Sequence, residues 1–257
     1  MRQRRFVWSS RLIAVLLILA SVAQVQAGMV VVGSGANMDA GQGQLLLACN
    51  NLEVAGGLGG HATGARDVSI VSGGSLSTHQ LSFSGDWDNA GQVAVPGLVR
   101  WQDGCNVLDA QMTGSTGFSA LEISTTNGRT VRLEASTTQQ ISDSLVLQGA
   151  AGARLLMRSS VPGQQAGLAL APGGGQSIAF VDVADIDSSG GQALAPGGAG
   201  LLNSLDSGNN INWFHGVLSA VAIPTLGLMG TMLLILLIAL MGAGRAWHVR
   251  LSNEGMT

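Results

Sequence analysis

The chain contains no lysine and no tyrosine, and aromatic residues make up only 4% of its 257 residues. Residues 28–216 form a body between two hydrophobic ends, with six arginines against fourteen acidic residues, a balance of −8 (6 − 14). Such a body lacks the basic face with which proteins hold nucleic-acid phosphates. We therefore exclude nucleic acid as a partner, and the acidity suits an exported protein that stays soluble.

The first hydrophobic end has the features of a targeting segment. Residues 1–27 begin with arginines such as Arg2 and Arg4, continue with an apolar stretch over 12–20, and finish with small residues before Ala27. This order predicts a secretory signal peptide that is cleaved after Ala27. The alternative is an uncleaved N-terminal anchor, which would give a protein with two membrane spans.

The second hydrophobic end predicts a membrane span. Residues 226–243 include no charged side chain, and at about 1.5 Å per residue they are long enough to cross roughly 30 Å of hydrocarbon. Arg245 and Arg250 follow directly, and no basic residue lies between Arg158 and Arg245. By the positive-inside rule, the tail 244–257 is cytoplasmic and the body lies outside. We expect the body to be anchored in the membrane by its C-terminus.

The junction between the body and this span, residues 217–225, leads into a sequence that resembles the IPTL C-terminal sorting signal of bacterial envelope proteins. The residues that carry the resemblance are Ile223, Pro224, Thr225, Leu226 and Gly230. Met229 stands where that family has tryptophan. The resemblance implies processing at this tetrapeptide by an exosortase-type membrane protease, which would release or transfer the body. The alternative is an ordinary tail anchor with a chance tetrapeptide.

The body shows no sustained helical period. Short runs of Val, Ile, Leu, Thr and Phe recur between clusters of Gly, Asn, Asp and Ser, with turn signals about every eight to twelve residues. This pattern predicts an all-β body. The predicted strands are 45–55, 68–72, 76–84, 92–101, 118–125, 130–135, 144–147, 154–159, 167–171 and 177–183. Within them Val131, Leu133 and Ala135 are expected to point inward, and Arg132 and Glu134 outward. Ile178, Phe180 and Val183 are likewise expected to point inward.

Between a β-solenoid and a β-sandwich, the composition favours the solenoid. Glycine-rich corners with Ser, Thr and Asn in the strands suit stacked coils, whereas a sandwich core usually holds larger aromatic residues. Several segments are similar to the passenger regions of large bacterial surface proteins, which implies a right-handed β-helix-like body at the cell surface, closed by the final Asp-Ser-Gly-Asn-Asn and Trp213. These segments are 49–56, 81–91, 103–105, 156–163, 180–183 and 206–214.

The chain has only two cysteines, Cys49 and Cys105. An even count in an exported body favours one disulfide, closing a loop of roughly 57 residues and stabilising the fold by about 3 to 4 kcal/mol. The alternative is two reduced, separately buried cysteines. A metal site built on them is not favoured, because no histidines stand at ligand spacing.

Candidate catalytic groups in the body are few. The body has no Gly-x-Ser-x-Gly nucleophile elbow. His61 and His79 are the only candidate bases away from the predicted membrane, and each is more typical of an ordinary surface residue. Trp87, between two aspartates, has an aromatic face that could stack on a sugar, although packing in the core or a turn is the favoured interpretation.

A cluster of carboxylates near the end of the body is the main polar feature. Asp182, Asp185 and Asp187 form a weak candidate metal site, either as calcium ligands or as the paired acids of a glycoside hydrolase. A solvated turn is the simpler interpretation of the same residues. A β-helix polysaccharide lyase would also need a basic residue beside its calcium, and the body has no lysine.

These features together predict an exported cell-envelope or surface protein that acts as a structural, adhesive or matrix module. We expect it not to be an enzyme and to need no cofactor. Its expected partners are the membrane and an exosortase-type protease, with extracellular polysaccharide as a further candidate. The alternative is a polysaccharide-active β-helix enzyme.

Overall fold

The computed structural model describes residues 23–26, 28–90 and 93–215. The predicted sorting motif, membrane span and arginine-containing tail lie outside the described residues, as does the predicted signal peptide apart from residues 23–26. Within the described ranges, no helix is long and apolar enough to cross a membrane.

The described residues form two long sheets. Sheet A consists, in spatial order, of β1 (Ala23–Gln26), β2 (Met29–Val32), β4 (Asn51–Val54), β6 (Val68–Ile70), β8 (Trp87–Asn89), β10 (Asp109–Thr113), β12 (Arg129–Leu133), β14 (Leu155–Ser159), β17 (Val181–Ala184) and β19 (Leu205–Gly208). Sheet B consists of β18 (Ile186–Asp187), β15 (Ala166–Leu170), β13 (Thr138–Gln148), β11 (Thr116–Ser124), β9 (Val93–Gln102), β7 (Ser75–Phe83), β5 (Gly57–Ala65) and β3 (Asn37–Leu46). β16 (Gly175–Ala179) pairs with β13, and a short 3-10 helix covers Ala199–Leu202.

The pairing pattern makes the body a β-solenoid. From β2 onwards the chain alternates between the two sheets, and the strands of successive turns pair in parallel. Met29 pairs with Asn51, 22 residues later (51 − 29), and Leu155 pairs with Val181, 26 residues later (181 − 155). The nine strands of sheet A from β2 to β19 correspond to about eight turns. The prediction of an all-β solenoid is confirmed.

Several long strands of sheet B bend at register irregularities. The register of β5 with β7 shifts between Gly60 and His61, and that of β11 with its neighbours shifts between Phe118 and Ala120. β9 bends at Gly97, where an added Cβ would lie 2.2 Å from the carbonyl oxygen of His79. Only glycine allows the backbones of adjacent turns to come this close at the bend.

The core runs along the inside of the coil as columns of side chains from equivalent positions of successive turns. One column is Val30, Leu52, Val68, Trp87, Met112 and Leu133, and all six are buried. Four of the seven described Phe and Trp side chains lie in the middle turns, where the ring centroid of Phe83 is 5.1 Å from that of Trp101 and 5.5 Å from that of Trp87. Trp87 is 0% exposed, so the sugar-contact hypothesis for it is wrong and the core interpretation is right.

The strand predictions fail mainly at corners. The predicted strand 45–55 is two strands, because Ala48 and Cys49 adopt left-handed backbone angles (φ 47° and 65°) between β3 and β4. The predicted strand 177–183 is likewise divided at Phe180 (φ 52°), which is half-buried at a corner rather than pointing inward. The inward positions of Val131 and Leu133 are confirmed, whereas Ala135 is half-buried and lies beyond the end of β12. Strands β1, β2, β5, β8, β10, β18 and β19 were not predicted, and neither was most of β3.

Candidate functional site

A disulfide links distant turns of the solenoid. Cys49 lies at the corner between β3 and β4, Cys105 lies at the corner between β9 and β10, and their sulfur atoms are bonded at 2.08 Å. These corners are three turns apart, which at strand spacing would separate them by roughly 14 Å. Their Cα atoms are only 5.6 Å apart. The two loops therefore bend towards each other along the corner and staple the first half of the coil.

A cavity of about 170 Å³ lies at this staple, and its lining includes Cys49, Cys105, Ser84 and Asp103. Ser84 belongs to one of the two corners between the cysteines, immediately after β7. The disulfide loops, the intervening corners and Asp103 thus line one small cavity. We call the region formed by the disulfide, Ser84, Asp103 and the neighbouring Arg129 and Trp101 the stapled corner.

Arg129 is the most unusual side chain of the stapled corner, because it is only 2% exposed. Its guanidinium carbon lies 5.4 Å from the ring centroid of Trp101, and Nη2 donates a hydrogen bond of 2.5 Å to the carbonyl oxygen of Ser84. Arginine over the face of tryptophan is a favourable cation–π arrangement. Its Nε and Nη1, with Trp101 Nε1 and Asp103 Oδ1, have no hydrogen-bond partner among the described residues.

Asp103 is the nearby counter-charge, and its carboxylate is held by the next corner of the coil. Oδ2 accepts hydrogen bonds from the backbone N–H of Thr126 at 2.8 Å and of Asn127 at 3.2 Å. Partial burial alone would raise the pKa of Asp103, but bonds from the Thr125 hydroxyl, these two N–H groups and the Thr126 hydroxyl outweigh it and lower the pKa. Burial lowers the pKa of Arg129, and the charge of Asp103 opposes that shift.

The direction of the shift in the pKa of Asp103 determines how pH changes the contribution of this carboxylate to stability. Because its folded-state pKa lies below the unfolded value of about 3.9, the carboxylate stabilises the fold fully above that pH. This stabilisation is lost as the pH falls through the lowered folded-state pKa. The stapled corner therefore weakens in acid while it keeps its strength at neutral pH.

The three aspartates of the weak candidate metal site are each engaged locally. Asp182 accepts a hydrogen bond of 2.8 Å from Arg158 Nη2, and Asp185 accepts one of 3.1 Å from the Gly163 N–H. Asp187 accepts one of 2.7 Å from the N–H of Ser189. Among the residues that the structure describes, no group of three His, Cys, Asp or Glu side chains is placed to hold a metal ion. The structure does not bring these carboxylates together.

The two candidate bases lie side by side on the surface. The rings of His61 and His79 stack with their centroids 5.7 Å apart. In the strand register, His61 lies between Gln44 and Gln80. Neutral amides flank it there, so the register provides no serine or cysteine nucleophile beside the ring.

A groove of about 640 Å³ crosses five neighbouring strands of sheet B, from β7 to β15. Its volume is in the range of about 300 to 1,000 Å³ that is typical of ligand pockets. The described residues that line it are Leu76, Ser77, Val95, Pro96, Gly117, Phe118, Ser119, Gln140, Ile141, Ser142, Ala169, Ala171, Pro172 and Gly190. These residues carry no charge, so the groove suits a neutral ligand.

No family model, curated protein or solved structure matches this chain. Two features of the structure were not predicted from the sequence: the buried Arg129, which is one of the body's six arginines, and the groove. The sequence did contain one signal for Arg129. It occupies the same alternate positions as Val131 and Leu133, which point inward, and this places the arginine in the core.

Proposed function

We propose that this chain is an exported cell-envelope protein whose solenoid body acts as a structural, adhesive or matrix module at the cell surface. The observation that carries the proposal is the disulfide between Cys49 and Cys105. Disulfides persist in oxidising compartments and are rare in the cytosol. The bond therefore supports the export that the sequence of residues 1–27 predicts.

Delivery is the mechanism of this proposal. The signal peptide starts export, and the apolar residues 226–243 halt it, while Arg245 and Arg250 keep the tail in the cytoplasm. Processing at residues 223–226 by an exosortase-type protease then releases or transfers the body.

We also infer that the coil is right-handed, the hand of nearly all crossovers between parallel strands.

The solenoid suits a structural role. Each turn contacts mainly its neighbours, and the turns stack into a continuous sheet surface. The loop-closing disulfide adds resistance to unfolding in the N-terminal half, where it ties the first of four successive corners to the fourth. A body of this kind is suited to a surface exposed to the outside medium.

The groove favours one ligand class for an adhesive role. Its uncharged lining of aliphatic, hydroxyl and amide groups suits a neutral extracellular polysaccharide laid across the turns. The alternative function is a polysaccharide-active enzyme that uses Asp182, Asp185 and Asp187. We favour binding, because no carboxylate is among the described residues of the groove lining.

The mass of the mature protein tests the proposal. We expect protein isolated from the envelope or the medium to begin at Gly28 and to lack the tail 244–257. Pro224→Ala should block the second cleavage, because the processing enzyme is expected to read this residue, whereas Gly227→Ala should leave it intact. Intact-mass spectrometry of membrane and extracellular fractions measures both ends.

Two results would contradict it. A mature form that still begins at Met1 would show an N-terminal anchor instead of a signal peptide. A form that keeps residues 244–257 and occurs only in the inner membrane would show a plain tail anchor.

A further inference from the structure

The N-terminal end of the solenoid is covered by a strand that the proposed export would remove. β1 pairs antiparallel with β2, with Val25 opposite Val30 and Gln24 opposite Val31. β1 ends at Gln26, one residue before the predicted cleavage after Ala27. Cleavage there would separate the covering strand from the body.

The backbone of β2 shows which groups would lose their partners. The carbonyl oxygen of Gly28 accepts a 2.9 Å hydrogen bond from Asn51, and that of Val32 accepts a 2.8 Å bond from Ala55. Neighbouring residues of a strand direct their backbone groups to opposite sides, so Met29 and Val31 direct theirs towards β1. Loss of β1 would leave the backbone groups of Met29 and Val31 unpaired. They lie next to Val30 (7% exposed) and Val32 (0% exposed), the residues at the N-terminal end of the core.

The other end strands of the two sheets are protected by charge, whereas β2 is not. β3 contains Asp39, β18 contains Asp187 and β19 contains Asp206. Charged residues on an edge strand discourage the addition of a further strand. The sequence of β2 is Met-Val-Val-Val, so it lacks this protection. Once β1 is removed, β2 would be an uncharged open edge at the N-terminal end of the described coil.

We propose that the exposed β2 edges of two copies pair with each other and form a two-fold dimer. The inference rests on the cleavage that is part of the proposed function. The antiparallel pairing of β1 shows the geometry that this edge accepts. With the two-fold axis at Val30, Met29 of one copy lies opposite Val31 of the other, and the two Val30 residues face each other.

This arrangement reproduces the backbone pairing of the precursor. Val30 of the second copy takes the place of residue 25 in the register opposite Val30. The backbone groups of Met29 and Val31 regain antiparallel partners. Because the same patch is used on both copies, the contact closes at two and does not propagate into a fibre.

Light scattering after size-exclusion chromatography of the mature protein tests the dimer. The protein is purified from the envelope, its N-terminus is established by mass spectrometry, and its molar mass is measured across a concentration series. We expect twice the monomer mass. Val31→Pro removes an N–H that faces outward without disturbing the bonds to β4, and it should halve the mass. The control Val31→Thr keeps the N–H and the β-branched shape and should remain dimeric.

A second variant keeps the test decisive if Val31→Pro fails to fold. Ala27→Leu places a large residue at the cleavage site, so β1 should stay attached and the protein should be monomeric. A correctly cleaved wild-type protein that is monomeric, a folded Val31→Pro that stays dimeric, a dimeric Ala27→Leu that retains β1, or assemblies larger than two would each overturn the dimer. A wild-type protein that retains residues 23–26 would instead overturn the proposed cleavage.

Discussion

Replacing Arg129 with alanine is expected to lower the free energy of unfolding by about 2 to 4 kcal/mol, because it removes a buried charge-assisted hydrogen bond and a buried cation–π contact. The substitution empties a site that is 2% exposed and removes the guanidinium from the face of Trp101. It also leaves the Ser84 carbonyl oxygen without its 2.5 Å hydrogen bond and Asp103 without its counter-charge. Urea denaturation followed by circular dichroism measures the change.

Arg132 provides a matched control on the same strand. Its side chain is 39% exposed and pairs with Asp109 at 3.2 Å. Exposed ion pairs contribute about 0 to 1 kcal/mol, so Arg132→Ala should change the free energy of unfolding by at most about 1 kcal/mol. Equal losses for Arg129→Ala and Arg132→Ala would contradict the structural role of the stapled corner.

Removing the disulfide is expected to lower the free energy of unfolding by a comparable amount. The loss of stability should differ from one turn of the coil to another. With a sequence separation of 56 between Cys49 and Cys105, the chain-entropy relation gives a loss of about 4 kcal/mol for the double variant Cys49→Ser, Cys105→Ser. In a solenoid each turn depends mainly on its neighbours, so the loss should be concentrated near the staple.

Native-state hydrogen exchange resolves this distribution. Amides of β4, β6 and β8, which lie within the stapled turns, should exchange faster in the double variant. Amides of β14 and β17, which lie beyond the stapled turns, should change little and serve as an internal control. Uniformly faster exchange in every strand would instead show that the solenoid opens as one cooperative unit.

The solenoid was predictable because its signals are local. Turn residues recur at regular intervals, and alternation in segments such as 131–133 marks the inward face. The corner at Phe180 was not predictable, since a bulky aromatic residue rarely adopts φ 52° and the sequence around it reads as one strand. β5 was missed because its glycines are typical of turns. In the structure, Gly60 has φ 81° and a Cβ there would lie 3.0 Å from the backbone nitrogens of Ala40 and Gly41, so glycine there permits close stacking of turns.

The candidate site depends on contacts between turns, which the sequence does not specify. The count of two cysteines favoured a disulfide, but that the bond spans three turns follows only from the strand register. Arg129 lies on an inward face, yet its neighbours Ser84 and Trp101 come from two different earlier turns. The groove likewise exists only where five strands lie side by side.

The redox state of the two cysteines in cells tests most directly the claim that the body is an exported, stapled solenoid. Cells are treated with a thiol-alkylating reagent before lysis, and the protein is then measured by mass spectrometry. The account predicts that Cys49 and Cys105 of the exported protein stay unmodified until a reductant is added. In a variant lacking residues 1–27, which stays in the cytosol, both should be alkylated. Two alkylated cysteines in the full-length protein would contradict the account.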